Sequence, residues 1–400
     1  MSLNERYETA QKDLADLQST IATTLKTKKD ATLSSTSKSS LAPIRAPPAT
    51  KARRTLKGHF GKVTALHWAG DSTAVVSASQ DGNLLLWNAV TANKLQSISL
   101  RSSYVMSVGL EQSQGKLVAC GGLDNLCTVY RWGATPNSPS TAPQEMASHD
   151  GFVSCCRFIS PQSILTASGD STCIRWDVGS GRVVDTFQEH KADAMFLALR
   201  PQDPSTFVSC SVDRTIKVWD VRAPKMSQKT FTGHNGDINA VDFMPSDNNV
   251  FSSCSEDGTV RVWDLRSYQE VATLGNYVSS NGTMNNNAGG GGPAGAAGGG
   301  PGGAGGGTGT GNAIPENRPN DFDDSSSEGF TSVSFSRSGR LLFCGHSDGN
   351  VVAFDTLSST SSPSFVLQQA HDGHVSCVGA SPDGSALCTG SWDSQLKIWA

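Results

Sequence analysis

Gly233-His-Asn-Gly-Asp-Ile-Asn-Ala-Val-Asp-Phe243, then Val250-Phe-Ser-Ser-Cys254, then Glu256-Asp-Gly-Thr-Val-Arg-Val-Trp263, is one full copy of the unit that decides the fold. Apolar and small residues alternate through Ile238–Phe243, Val250–Cys254 and Thr259–Trp263, as in half-buried strands. A turn around Pro245–Asn249 separates the first two, and Glu256-Asp257-Gly258 makes a tight hairpin in which Gly258 accepts positive φ without steric cost. The same Asp-to-aromatic step of six residues occurs seven times: Asp81/Trp87, Asp124/Tyr130, Asp170/Trp176, Asp213/Trp219, Asp257/Trp263, Asp348/Phe354 and Asp393/Trp399. Successive Asp positions lie 43, 46, 43, 44, 91 and 45 residues apart, the 91 being one ordinary repeat plus an insert of about 47. Repeats of this period and strand content build an all-β fold, a seven-bladed β-propeller.

Five repeats place a His 21 to 23 residues before the turn Asp (His59, His149, His190, His234, His371) and a hydroxyl four before it (Ser77, Thr166, Ser209, Ser253, Thr389). Asp, His, hydroxyl and the later Trp can form one buried hydrogen-bonded chain tying the layers of a blade together. Any single set could be read as catalytic, but five copies around a ring are a structural device. The second and sixth repeats lack the His and carry Cys120 and Cys344 for the hydroxyl. Those blades are expected to rely more on packing.

The seventh repeat runs out at Trp399, before an outer strand. An open sheet edge is a liability, so Ala52–Leu56, just ahead of Gly58-His59, is expected to supply the missing strand. Net charge is −4, which implies no general attraction to nucleic acid. The run Lys51, Arg53, Arg54, Lys57 lies on that strand and reads as a solvated edge. No apolar stretch approaches 18 residues and no signal peptide is visible, which predicts a soluble, intracellular protein. The ten Cys fall at strand positions without metal-ligand spacing and are expected to be reduced and buried, with Cys155 and Cys156 on opposite sides of a strand. No metal or cofactor is expected.

Two segments lie outside the blades. In residues 1–30, Leu3, Tyr7, Ala10, Leu14, Leu17 and Ile21 follow spacings of 4, 3, 4, 3 and 4, the a/d seam of a coiled coil over about three heptads. A helix this short is marginal alone. Its stripe needs either a partner helix or the propeller. Residues 31–51, Ser- and Pro-rich, read as a tether holding it off the ring, which favours a partner. The propeller then spans 52–400, interrupted by an insert at 279–328. Thr283–Gly311 is almost wholly Gly, Ala, Asn and Thr and cannot bury enough apolar surface to order itself. The insert sits in the connection between blades 5 and 6, on the side of the Gly-His loops and Asp turns.

A coiled-coil α-helix ahead of seven WD40 repeats resembles the β subunits of heterotrimeric G proteins. The likeness is close in Arg53-Arg-Thr-Leu-Lys-Gly-His59, Val76-Ser-Ala-Ser-Gln-Asp-Gly82, Leu100-Arg-Ser-Ser103, Ala119-Cys-Gly-Gly-Leu-Asp-Asn125, Ser154-Cys-Cys-Arg-Phe158, Thr331-Ser-Val-Ser-Phe335, Thr389-Gly-Ser-Trp-Asp-Ser394 and Leu396-Lys-Ile-Trp399, and covers the chain outside the insert. The resemblance implies a non-enzymatic transducer. Its seam helix would pair with a small γ subunit that carries the lipid anchor, since neither terminus here has a lipidation motif. The dimer would bind a GDP-loaded α subunit, release it on nucleotide exchange, and engage effectors through the uncovered surface, in the cytoplasm and at the cytoplasmic face of the plasma membrane.

The resemblance also implies an α- and effector-binding surface at Phe60, Lys62, Leu85, Lys94, Tyr104, Met106, Leu123, Phe152, Asp193, Met195, Asp237, Asn239, Glu256 and Trp392. Aromatics supply large anchors, Met adapts to different partners, and charges fix orientation. Trp392 adjoins a turn Asp, so it is either a surface anchor or core. Departures from the family are Tyr104 for the usual Trp, Thr64 for a common Tyr, Asn83 for a common Lys, and a terminal Ala for Asn. A generic WD scaffold, such as a ribosome-associated or ligase-adaptor propeller, is the competing reading, with the helix packed back onto the ring. An enzyme would need a phosphate loop, a metal cluster or an isolated nucleophile, none of which the sequence supplies.

Overall fold

The computed structural model of the chain describes Asp16 and residues 51–132, 143–224, 226–275, 277, 329–358 and 360–400. The chain divides into two units, Met1–Tyr277 with Glu328–Ala400 and Val278–Ser327, and the described residues belong to the first. The seam residues Leu3, Tyr7, Ala10, Leu14, Leu17 and Ile21, the tether up to Thr50 and the insert 279–328 lie outside the described residues.

Among the described residues, twenty-eight strands form seven four-stranded antiparallel sheets, each one blade. The inner strands are Val63–Trp68, Val105–Leu110, Val153–Ser160, Ala194–Leu199, Ile238–Phe243, Phe330–Phe335 and Val375–Ala380. They touch in that order, and the last returns to the first, so the sheets close a ring. Six blades are built from consecutive strands. In the seventh, Arg54–Lys57 lies outside Gln395–Trp399 with Arg54 opposite Ile398 and Lys57 opposite Gln395. The paired segment is Arg54–Lys57 rather than Ala52–Leu56, and Leu56, with no exposed surface, plugs it into the core beside Leu396.

Core is made mostly between blades, because each sheet is apolar on both faces. Phe243, Phe251 and Trp263 pack with Val208 and Val218 of the preceding blade, while Val260 and Val262 pack with Phe335 and Leu342 of the following one. Cys155 joins the cluster of Leu197 and Trp219, and its neighbour Cys156 that of Ala119 and Trp176, so the two face different blades. All ten cysteines are free thiols, nine of them buried.

The turn between second and third strands has one conformation throughout. The residue after the Asp has positive φ in all seven blades: Gly82, Asn125, Ser171, Arg214, Gly258, Gly349 and Ser394. Only three are Gly. The Asp carboxylate holds the others there, since its Oδ1 accepts the N–H two residues on in every blade, at 2.9–3.2 Å.

Candidate protein-binding face

Five blades contain the expected buried chain. His Nδ1 lies 2.8–3.0 Å from Asp Oδ2, Nε2 2.7 Å from the Ser or Thr hydroxyl, and Trp Nε1 2.8–3.0 Å from that same hydroxyl. The sets are His59–Asp81–Ser77–Trp87, His149–Asp170–Thr166–Trp176, His190–Asp213–Ser209–Trp219, His234–Asp257–Ser253–Trp263 and His371–Asp393–Thr389–Trp399. A carboxylate only accepts, so Nδ1 carries the proton, Nε2 accepts the hydroxyl proton, and the hydroxyl oxygen takes the indole N–H. Every polar atom is satisfied, and each hydroxyl already serves two partners inside the blade. Burial pushes the carboxyls of Asp170, Asp213 and Asp257 up, but His and Thr hydrogen bonds outweigh it and hold them well below the usual carboxylate range.

One hydrogen bond repeats around the ring and defines an end of it. The N–H of the residue before each turn Asp donates to the carbonyl of the residue just ahead of the inner strand. These bonds are Gln80→Lys62, Leu123→Tyr104, Gly169→Phe152, Val212→Asp193, Glu256→Asp237, Ser347→Gly329 and Trp392→His374, at 2.9–3.2 Å. Lys62, Tyr104, Phe152, Asp193 and Asp237 therefore occupy one position in five blades, and Leu123, Glu256 and Trp392 the bonded position in three. Met106, Met195 and Asn239 stand two residues further along their strands, and Phe60 two residues before Lys62. Phe60 is 92 % exposed, Tyr104 58 %, Leu123 53 % and Trp392 39 %. Asn239 is half-buried and donates to the Phe330 carbonyl at 3.0 Å.

Two expected contact residues fall elsewhere. Leu85 sits in the middle of a third strand, is 2 % exposed and packs with Trp68 and Leu396, so it offers no surface. Lys94 is exposed at the start of the outer strand of blade 1, where its stem passes close to Gly58.

The profile described as G protein beta WD-40 repeat protein matches residues 4–283, and the WD domain, G-beta repeat profile matches 321–355 and 362–400. The chain belongs to the G protein beta WD-40 repeat family. Curated relatives named guanine nucleotide-binding protein subunit beta include that of Arabidopsis thaliana, 37 % identical over 358 residues, and that of Oryza sativa subsp. japonica, 36 % over 357. The relative from Zea mays is 34 % identical over 357 residues, and in all three the match covers 87 % of this chain and 82 % of the relative. This chain is thus similar to G protein beta subunits over most of its length.

As a G protein beta WD-40 chain it has two features that the repeat pattern did not announce. The first is at Trp392. The His374 imidazole stacks on the indole with centroids 4.4 Å apart and planes 11° from parallel, and the Lys62 ammonium stands 3.7 Å from the ring centroid. The indole is a braced surface feature rather than core, with stacking and cation–π contacts on its ring. His374 lies three residues past the structural His371.

The second is in blade 6, where packing was expected to replace the missing His. Tyr277, the last described residue before the insert, donates its hydroxyl proton to Asp348 at 2.7 Å and accepts from Asn350 at 2.8 Å. Its ring meets His346 edge-on at 4.9 Å, and His346 Nδ1 lies 2.9 Å from Asp348 Oδ1. Blade 6 therefore has a polar network of its own. Burial pushes the Asp348 carboxyl up, and the bonds from His346 and Tyr277 bring it well below the usual range.

Proposed function

We propose that this chain is the β subunit of a heterotrimeric guanine nucleotide-binding protein and acts without catalysis. Its N-terminal seam pairs with a γ subunit that lends the membrane anchor. The ring end bearing Phe60, Lys62, Tyr104, Leu123 and Trp392 receives GDP-loaded α subunit and, after nucleotide exchange, effectors. The observation that carries the reading is the gathering of large exposed apolar side chains at repeated hydrogen-bonded positions of one end. Monomer surfaces rarely expose such anchors together unless they bind protein. The relatives' name supports the subunit assignment.

The test is titration of the purified dimer with α·GDP. Trp392→Ala removes an anchor braced from two sides, and truncation of such anchors typically costs about 2 kcal/mol, roughly thirtyfold in affinity. The variant should keep its γ partner and its melting temperature. Unchanged α affinity would remove Trp392 from the binding surface.

A further inference from the structure

Blade 2 departs from its neighbours at three places that meet. Counted from the repeated hydrogen bond, Arg101 stands three residues before Tyr104, where five other blades have a His, as with His59 before Lys62 and His149 before Phe152. Its guanidinium does not enter the blade but reaches Glu145 at 3.3 Å, leaving the side chain 79 % exposed. Opposite Cys120 the third strand carries Thr128, where the matching registers hold Leu85, Ile174, Lys217, Arg261, Val352 and Lys397. Tyr130 replaces the Trp. Thr128 and Tyr130 are smaller than most of the residues they replace, and the Arg101 side chain is turned outward. The result is an open hollow on the surface, lined by Cys120, Thr128 and Tyr130 together with Asp124, Arg101 and Glu145. Asp124 keeps the Leu126 N–H at 3.2 Å but has no imidazole.

We propose that this hollow is a docking slot for a histidine side chain of a protein bound on the exposed end of the ring. In five other blades the corresponding space is filled by an imidazole that joins the turn Asp to the group four residues before it. Here that pair is Asp124 and Cys120, and the ring must come from outside. Burial pushes the Cys120 thiol up, and burial first among its causes pushes the Tyr130 phenol up to about 12, so both stay protonated and the only negative charges at the slot are Asp124 and Glu145. Tyr104 lines the same hollow, which joins it to the surface already assigned to partners. The docking role rests on that assignment, while the slot itself does not.

Imidazole alone is the probe. Saturation-transfer NMR on the purified 400-residue chain should give saturable imidazole binding and a raised melting temperature at matched ionic strength. Thr128→Leu, which copies blade 1, should weaken it at least tenfold. Arg101→His, which puts a ring in the slot from within, should abolish it. Non-saturable binding, or full binding by Thr128→Leu, overturns the slot whether or not Arg101→His folds. Saturating imidazole should also weaken α·GDP binding by the wild-type dimer. Binding left unchanged by it would overturn the docking role even if Trp392→Ala behaves as expected.

Discussion

The single hydroxyl at the centre of each blade does more than its size suggests. Ser209 Oγ takes the Trp219 N–H at 2.8 Å and gives its own proton to His190 at 2.7 Å, with no exposed surface. Ser209→Ala leaves an indole N–H and an imidazole nitrogen buried without partners. The expected cost is about 1–3 kcal/mol, readable as a shift of the urea midpoint without change in slope. The positive-φ residues differ in kind. An added Cβ at Gly258 meets nothing within 4 Å, so Gly258→Ala tests backbone conformation alone. It should cost about 1 kcal/mol, the left-handed penalty of an L-residue. A much larger loss would mean that the turn also needs space.

Among elements, the outer strand Arg54–Lys57 is the one that decides whether the ring holds. A chain starting at residue 51 keeps all four of its pairings with Gln395–Ile398, while one starting at residue 58 leaves that edge open. The shorter chain should aggregate or lose its cooperative melt, and the longer should not. Equal melting curves for the two would refute the role given to the strand. This closure was legible, within a residue or two, because the repeat count left one sheet short and one spare strand-like segment. The blade chains were legible too, because His, hydroxyl, Asp and Trp stand at fixed separations within a single repeat. Blade 6 was not. Its Tyr277 lies 71 residues before Asp348, across the insert, so no spacing rule links the two. Leu85 was misread for a different reason: an apolar residue in a third strand answers to the core, whatever its counterparts do. His374 was missed because its role is a stack on a residue of another turn, which sequence separation does not encode.

At the scale of the whole molecule, the buried titrating groups pull stability in two directions with pH. Carboxyls held below their usual range, such as Asp170, Asp213, Asp257 and Asp348, add stability that is present above the unfolded carboxylate pKa and lost as pH falls through the folded one. His67, pushed down to about 3 by burial and then by Arg157, works in the same sense from pH 6.5 downward, because only the unfolded chain takes up the proton. Asp242 opposes them. Burial raises it from 3.8 to about 6, against the Phe335 N–H and Arg157, so its contribution is complete below 3.8 and lost as pH rises through 6. Asp242→Asn should therefore steepen the acid-side loss between pH 6 and 4, by at most about 1.4 kcal/mol per pH unit, in urea titrations of both proteins. Parallel curves would show that Asp242 does not titrate in that window. The ring geometry also sets a timetable for synthesis. Arg54 is among the first blade residues to leave the ribosome, yet its partner Ile398 follows 344 residues later. At roughly 5–20 residues per second that is a wait of about 20–70 s, during which the strand has no sheet to join. A nascent ring is an open arc until that moment, with two loose ends that only the last strand brings together.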